Sequence, residues 1–289
     1  MGVKRLNYSE IVTQYHIRHI QAKGKSVETY TYIIERLMIF LHYRQDSMSL
    51  PAIVEEYITE RKAMIKQGTL RRELMILRAA LNWAKRNGYI AEVPQFDVPK
   101  EPPSKERWLT PAECKKLLEA AEYERVNKGG RYVDSHIGDS ARAYRFIMIG
   151  LHTAARKQTI LDLDWSQVDM KNRRINLNPE GRTQTSKRRP IVPMSTQLRD
   201  CLKWVKDKSG PVLNHHGSIQ NAFYGAVRRA GLKNVTPHTL RHTFATISLQ
   251  NGVNPYQVAG VMGDNLEMVL QRYGHHCPDY LKDAANLEF

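Results

Sequence analysis

Apolar residues recur at helical spacing in two stretches of the N-terminal third: Ile33, Ile34, Leu37, Phe40 and Leu41, then Leu70, Leu74, Leu77, Leu81 and Ala84. Steps of three and four residues lay one face of a helix against a core. Ile53, Val54, Tyr57 and Ile58, after Pro51, mark a further helix, so residues 7–92 read as a small helical unit of four apolar-periodic segments. Ser26 and Thr69 suit helix caps, and Gly68 and Gly88 suit helix stops. The outward positions carry Arg61, Lys62, Lys66, Arg71, Arg72, Arg78, Lys85 and Arg86, which read as a solvated basic face.

The pattern changes at residue 93. Pro94, Pro99, Pro102 and Pro103 alternate with charged residues, which suits an extended linker over 93–106 and a boundary near 105. Thr110-Pro111-Ala112-Glu113 then forms a capping box with proline at the first helical position, the strongest local helix start in the chain. Residues 128–140, with Gly129, Gly130 and Gly138, read as a loop before an apolar helix around Phe146, Ile147 and Ile149. Strand-like alternation follows at Arg174, Ile175, Asn176 and Leu177, and again at Ile191 and Val192. The turn-rich basic stretch 179–189 between them reads as a β-hairpin. Thr236 and Pro237 open a helix expected to run through Ser248. At about 100° per residue it places Leu240, Phe244 and Ile247 on a core side and His238, Arg241, His242 and Ala245 on a side open to a ligand. The expected fold is mainly α with a small antiparallel β-sheet (α+β): a helical domain over 1–92, the linker, and a mixed domain over 107–289. No internal repeat or low-complexity tract is visible.

Composition narrows the partners. The 289 residues are 42% hydrophobic, enough for a sizeable core, and 44 Lys and Arg against 29 Asp and Glu leave a formal charge of +15. A polyanion, most economically nucleic acid, is the expected partner, a property shared with RNA-binding and ribosome-associated proteins. No apolar run approaches the roughly 18–20 residues of a membrane span, and Met1 to Leu6 lack the apolar stretch of a secretory signal. A soluble, intracellular protein is expected. Cys114, Cys201 and Cys277 are odd in number and widely spaced, so they read as reduced structural thiols rather than as a disulfide framework or a zinc site. Trp83 and Trp165 read as core residues rather than base-stacking platforms.

The candidate chemistry begins with His238-Thr239-Leu240-Arg241-His242. His238 and Arg241 fall in the first turn of their helix, where free N–H groups and the helix dipole favour an anion such as a phosphate. An isolated H-x-x-R at a helix start commonly faces only water, so the remaining pieces carry the weight. Thr153-Ala154-Ala155-Arg156 sets small residues before an arginine, letting backbone approach a bulky anion. Lys187, Arg188 and Arg189 lie on the expected hairpin, and Gly263-Asp264 precedes Tyr273 in Gln271-Arg272-Tyr273-Gly274-His275-His276.

In this order and spacing the chain resembles the tyrosine recombinases, and phage-type integrases in particular. The likeness is specific at 153–163, at 238–246 and at 272–275, and looser in the N-terminal unit. It implies a helical core-binding domain that clamps DNA, joined to a catalytic domain. It also implies Arg156 and Arg241 as the catalytic arginines, His238 as the histidine of the H-x-x-R motif, Lys187 as the hairpin lysine and Tyr273 as the nucleophile. The implied reaction is site-specific cutting and rejoining of double-stranded DNA through a 3′-phosphotyrosine, with neither cofactor nor metal, by a dimer on each site and a tetramer at synapsis. Accessory bending or directionality proteins and a bacterial host cytoplasm or nucleoid belong to the same picture.

Such chemistry suits these residue types. Two guanidinium forks hold the nonbridging oxygens of a phosphate under attack, and a lysine protonates the departing sugar oxygen. The covalent intermediate conserves the bond energy, so no ATP is needed. His242 and Thr243 read as supporting residues. Three positions depart from the family pattern: Asp264 where His or Trp is usual, Thr159 where an acidic residue is usual, and Ala155 where glycine is common. A carboxylate at 264 would repel a phosphate unless it turned away, took a proton or paired with a cation. It is therefore not expected to touch the phosphate, and His275 or His276 are candidates for part of the missing role. Two alternatives stay open: a type IB topoisomerase, marked by relaxation of plasmids lacking a specific site, and a catalytically silent DNA-binding descendant, marked by binding without a covalent adduct.

Overall fold

The computed structural model describes residues 6–22, 27–102, 107–122, 139–185, 187–205, 207–214 and 217–277. The chain divides into two compact units, 1–104 and 105–289.

The first unit is helical: α1 (Tyr8–Tyr15) running into a π-helical turn (His16–Gln21), α2 (Val27–His42), α3 (Leu50–Lys62) and α4 (Gln67–Arg86). Leu70, Leu74, Leu77, Leu81 and Ala84 of α4 are buried against Ile33, Ile34, Leu37 and Leu41 of α2 and Ile53, Val54 and Tyr57 of α3 in one cluster. Gly88 adopts φ +74° after α4, and the Tyr89 N–H closes on the Ala84 carbonyl at 2.9 Å, so this stop forms as expected. The expected start does not. Lys66 is the cap, which puts Gly68 and Thr69 inside the first turn, while Ser26 lies outside the described residues.

Two readings of the basic face change. Arg61 is buried rather than solvated: its guanidinium grips the buried Glu73, with Nη2 2.7 Å from Oε1, and Tyr57 donates to the same carboxylate at 2.7 Å. Apolar periodicity cannot reveal such a pair, because both members break the pattern. The proline-rich stretch also packs. Arg71 donates to the Pro99 carbonyl (2.8 Å), Arg78 to the Phe96 carbonyl and Gln67 to the Lys100 carbonyl, and Phe96 is buried in the helical core. Residues 93–102 thus carry no regular secondary structure yet belong to the first unit, and prolines with no N–H to satisfy are suited to such an irregular, packed strap.

The second unit contains α5 (Pro111–Glu122), α6 (Asp139–Thr153), the short α7 (Lys157–Leu161), strands β1 (Val168–Asp169), β2 (Arg174–Asn176) and β3 (Ile191–Pro193), then α8 (Thr196–Lys203), α9 (Gln220–Arg229), α10 (Pro237–Gln250), α11 (Pro255–Met262) and α12 (Leu266–Tyr273). The Thr110–Glu113 box caps α5 in both directions, at 2.9 and 3.2 Å. Of the glycine-rich loop expected over 128–140, residues 128–138 lie outside the described residues, and Asp139 and Ser140 already belong to α6. The sheet is antiparallel in the order β1-β2-β3, with Ile175 facing Val168 and Val192. Ile175 and Val192 are fully buried, whereas their strand neighbours Arg174, Asn176 and Ile191 are exposed. Strand β1 was too short to leave a pattern in the sequence. Trp83 and Trp165 are buried, and burial pushes the thiols of Cys114 and Cys201 up to about 11, keeping both protonated.

Two contacts set the geometry at the C-terminal end of α6. Gly150 faces Leu240 of α10 so closely that a Cβ there would sit 2.7 Å from the leucine Cδ1. The missing side chain draws α6 and α10 together, which brings Thr153 and Ala154 alongside Arg241. A small cluster of Ala154, Ala245, Leu249, Val258, Ala259, Met262, Val269 and Tyr273 then fastens α11 and α12 over α10. Ala245 is consequently buried instead of open to a ligand, and Phe244 is only half-buried. The sequence predicts one core side for α10, but the helix has two, Leu240 in the main core and Ala245 and Leu249 in the smaller cluster.

Candidate active site

Arg241, the fifth residue of α10, is 3% exposed. Its Nη1 donates to the carbonyls of Ala154 (2.7 Å) and Met262 (2.8 Å), and its Nη2 donates to Oδ2 of Asp264. Ala154 adopts φ +51°, a left-handed conformation that costs a residue with a side chain about 1–2 kcal/mol. In that conformation its carbonyl serves the buried guanidinium. Two residues on, Arg156 precedes α7, donates through Nη1 to the Arg188 carbonyl (3.2 Å) and through Nη2 to Oδ1 of Asp264. Asp264 therefore spans both arginines with one oxygen each. Of the three resolutions open to a carboxylate here, this chain uses pairing with cations.

Gly263 makes that bridge possible. It ends α11 at φ +63°, and a Cβ on it would lie 2.6 Å from the Arg188 carbonyl oxygen and 2.9 Å from Cδ of Pro190. The bare backbone lets the β2–β3 connection lie directly against the residue that carries Asp264. Gly263→Ala is expected to lower the unfolding free energy by about 2–4 kcal/mol, combining left-handed strain with overpacking. Urea denaturation of the purified protein measures this, and a loss below about 0.5 kcal/mol would mean that the close approach is easily relieved.

Tyr273 is the last residue of α12 and is 5% exposed. Its hydroxyl lies 2.7 Å from Nδ1 of His242. The His242 ring in turn meets the ring of His238 edge-on at 4.6 Å between centroids, and the His238 ring reaches solvent. Three rings from two helices thus run from buried phenol to surface imidazole. Burial raises the Tyr273 pKa, while Arg272 and Arg241 work against that rise. Burial pushes His242 down to about 4, with help from His238, Arg272 and Arg241, and His238 is lowered by desolvation and then by Arg241, Arg272 and Arg156.

Residues 107–279, more than half of the chain, match the sequence model of the phage integrase family. The chain belongs to the phage integrase family. This phage integrase family member is 26% identical to the integrase of Salmonella phage P22 over 235 residues, covering 73% of this chain and 55% of that protein. It is 32% identical to the integrase of Escherichia phage 186 over 144 residues, 49% of this chain and 40% of that protein. The chain thus spans about half the length of these phage relatives. Against the tyrosine recombinase XerD of Listeria innocua it is 25% identical, with 92% of this chain and 93% of that protein covered. The fold is shared with the Tn1549 transposon integrase, at a TM-score of 0.70 and 20% identity over 97% of this chain and 100% of that one.

Within this family member, four of the five residues expected to be catalytic gather at one site: Arg156, Arg241, His238 and Tyr273. Lys187 lies exposed in the β2–β3 connection, its N–H donating to Oγ1 of Thr185, next to the Arg188 whose carbonyl meets Arg156. His275 and His276 lie in a short helical turn after Tyr273, their rings tilted against each other at 4.0 Å between centroids, with His276 edge-on to Trp108. The residue that pairs with the arginines in place of the usual His or Trp is Asp264 itself. His242, expected only to support, is the group bonded to the phenol. Its place four residues after His238, on the same helical side, was the one sequence signal for it.

Partly desolvated neutral imidazoles make the second unit acid-sensitive. His152, His238 and His242 all have folded pKa values below the ordinary value. As pH falls below about 6.5 the unfolded chain takes up these protons before the folded unit does, so stability present above that pH is lost on the way down, for His242 until about 4. The melting temperature is expected to fall between pH 7 and 4, and to fall less steeply in His242→Asn. Parallel curves would show that other groups carry the acid sensitivity.

Proposed function

We propose that this phage integrase family member is a site-specific tyrosine recombinase that cuts and rejoins DNA strands through a 3′-phosphotyrosine at Tyr273. The reading rests on one arrangement: two guanidiniums held side by side by a shared carboxylate, within the same cluster of helices as a buried tyrosine whose hydroxyl bonds an imidazole. A phosphodiester under attack presents two charged nonbridging oxygens, and Arg156 and Arg241 offer them a paired set of planar donors. Asp264 orients the arginines from behind without itself contacting phosphate. His238, the solvent-reaching ring of the three, donates a hydrogen bond to a phosphate oxygen, and Lys187 swings from its exposed connection to protonate the leaving sugar oxygen. The scheme draws on neither ATP nor a metal ion, because the phosphotyrosine conserves the energy of the broken bond.

Relatives of this fold act on DNA. The Tn1549 integrase was captured with transposon right end DNA, and the XerH recombinase with its difH substrate in a post-cleavage complex. By the same reading the helical first unit is a core-binding domain, the proline-rich strap belongs to its junction with the catalytic domain, and the +15 charge serves duplex binding. Two copies occupy each site and four assemble at synapsis in a bacterial host's cytoplasm or nucleoid, assisted by bending or directionality proteins.

The test is a nicked duplex carrying the cognate recombination site. The protein is expected to yield an SDS-resistant adduct, with the oligonucleotide mapped by mass spectrometry to the peptide containing Tyr273. Tight binding with no adduct would overturn the catalytic reading in favour of a silent DNA-binding protein, and relaxation of any supercoiled plasmid would favour a topoisomerase.

A further inference from the structure

We propose that His242, through Nδ1, takes the phenol proton of Tyr273 as its oxygen attacks the phosphodiester, a catalytic role that rests on the recombinase reading above. The hydroxyl is 2.7 Å from this nitrogen, and the tyrosine is 5% exposed, which leaves bulk water little access to the proton. Arg272, whose charge works to lower the phenol's pKa, is a guanidinium with donors only, so it steadies negative charge on the oxygen and accepts nothing. His238 stands one ring further out, edge-on to His242 at 4.6 Å, where it contacts the acceptor rather than the nucleophile.

The electrostatics assign the timing. The groups facing His242 are His238 and Arg241 on α10, and Arg272 and Tyr273 on α12. With burial they hold the imidazole near 4, so it is neutral at pH 7 and has a free lone pair on Nδ1 when the proton sits on Nε2. Without DNA the raised phenol keeps its proton. A phosphate arriving at Arg156 and Arg241 brings negative charge that offsets the cationic field on the imidazole, and the phenol becomes strongly acidic once its oxygen begins to bond phosphorus. In the step itself, a Tyr273 oxygen lone pair forms the O–P bond and the O–H proton passes to Nδ1. The P–O bond to the deoxyribose 5′ oxygen breaks with its electron pair, and that oxygen takes a proton from the leaving-group acid. The imidazolium, on a residue that is itself only half-buried, then releases its proton to solvent.

Single-turnover cleavage of the nicked duplex tests this with wild type, His242→Ala and His242→Asn, each also made with a fluorinated tyrosine of lower phenol pKa at position 273. Asparagine retains a hydrogen-bond acceptor but cannot take up the proton. Both variants are expected to slow adduct formation by about 10²- to 10⁴-fold, with duplex affinity and melting behaviour near wild type, and the fluorinated phenol is expected to recover most of that loss. Cleavage by His242→Asn within about three-fold of wild type, well short of a general base's contribution, would overturn the proposal while leaving the recombinase reading intact. A large loss that the fluorinated phenol does not recover would also overturn it, marking the imidazole as a packing support. A wild-type protein that forms no adduct would overturn the recombinase reading and this step with it.

Discussion

Tyr273→Phe is expected to give a folded protein that still binds duplex DNA yet forms no covalent adduct with it. The two consequences separate because the ring and the hydroxyl have different tasks. The ring packs with Val269, Ala245 and Leu249 in the cluster that fastens α12 over α10, and phenylalanine keeps all of that surface buried. What disappears is one hydrogen bond, to an imidazole that is itself half-buried and able to turn toward water. The cost in stability is about 1 kcal/mol. On the recombinase reading the cost in chemistry is total, because the lost oxygen is the atom proposed to bond phosphorus. Gel analysis after SDS treatment reads the chemistry, and denaturant titration reads the fold. An adduct that persisted in this variant would place the nucleophile elsewhere in the chain.

Asp264→Ala is expected to act in the opposite proportion, on stability first. Arg241 is 3% exposed and Arg156 about a quarter exposed at the side chain, and the carboxylate is the anion bonded to both. Its removal leaves a buried guanidinium facing a second one with no counter-charge. Breaking a fully buried pair typically costs 3–5 kcal/mol; because Asp264 keeps about a quarter of its side chain exposed, the lower end applies, about 3 kcal/mol. For a unit of this size that corresponds to a melting temperature lower by roughly 6–12 °C. An anion can then take the vacated place between the arginines, so sulfate or a short duplex is expected to restore the variant more than it stabilises the wild type. Equal responses of the two proteins would show that the arginines are held by their other contacts, among them the carbonyls of Ala154 and Met262, rather than by the bridge.

Much of the scaffold was legible from local chemistry. The repeated leucines of α4, the Thr110–Glu113 box and the Thr236-Pro237 start each act within a turn or two of helix, where residue identity and geometry are tightly linked. Arg156, His238, Arg241 and Tyr273 were legible for a different reason, since their order and spacing carry the resemblance. The missing parts depend on contacts distant in sequence. Asp264 could be marked as out of place, but its partner Arg156 is 108 residues away, so nothing local shows that the carboxylate is spoken for. Arg61 and Glu73 look like surface charges until the fold closes over both. His242 lay on the right face of α10, but α12 decides that this ring, and not that of His238, meets the phenol.

The separation between Arg156 and Asp264 also has a meaning in time. A ribosome adding about 5–20 residues per second leaves Arg156 waiting roughly 5–20 s for its carboxylate, 108 residues later, to be synthesised. Arg241 emerges before that carboxylate too, and Tyr273 follows it. On the recombinase reading a nascent chain therefore carries its phosphate-binding arginines well before the nucleophile that would cut. By the same reading, competence to break a strand would come only once α11 and α12 have closed over α10, so a chain stalled before Tyr273 has its arginines but no nucleophile.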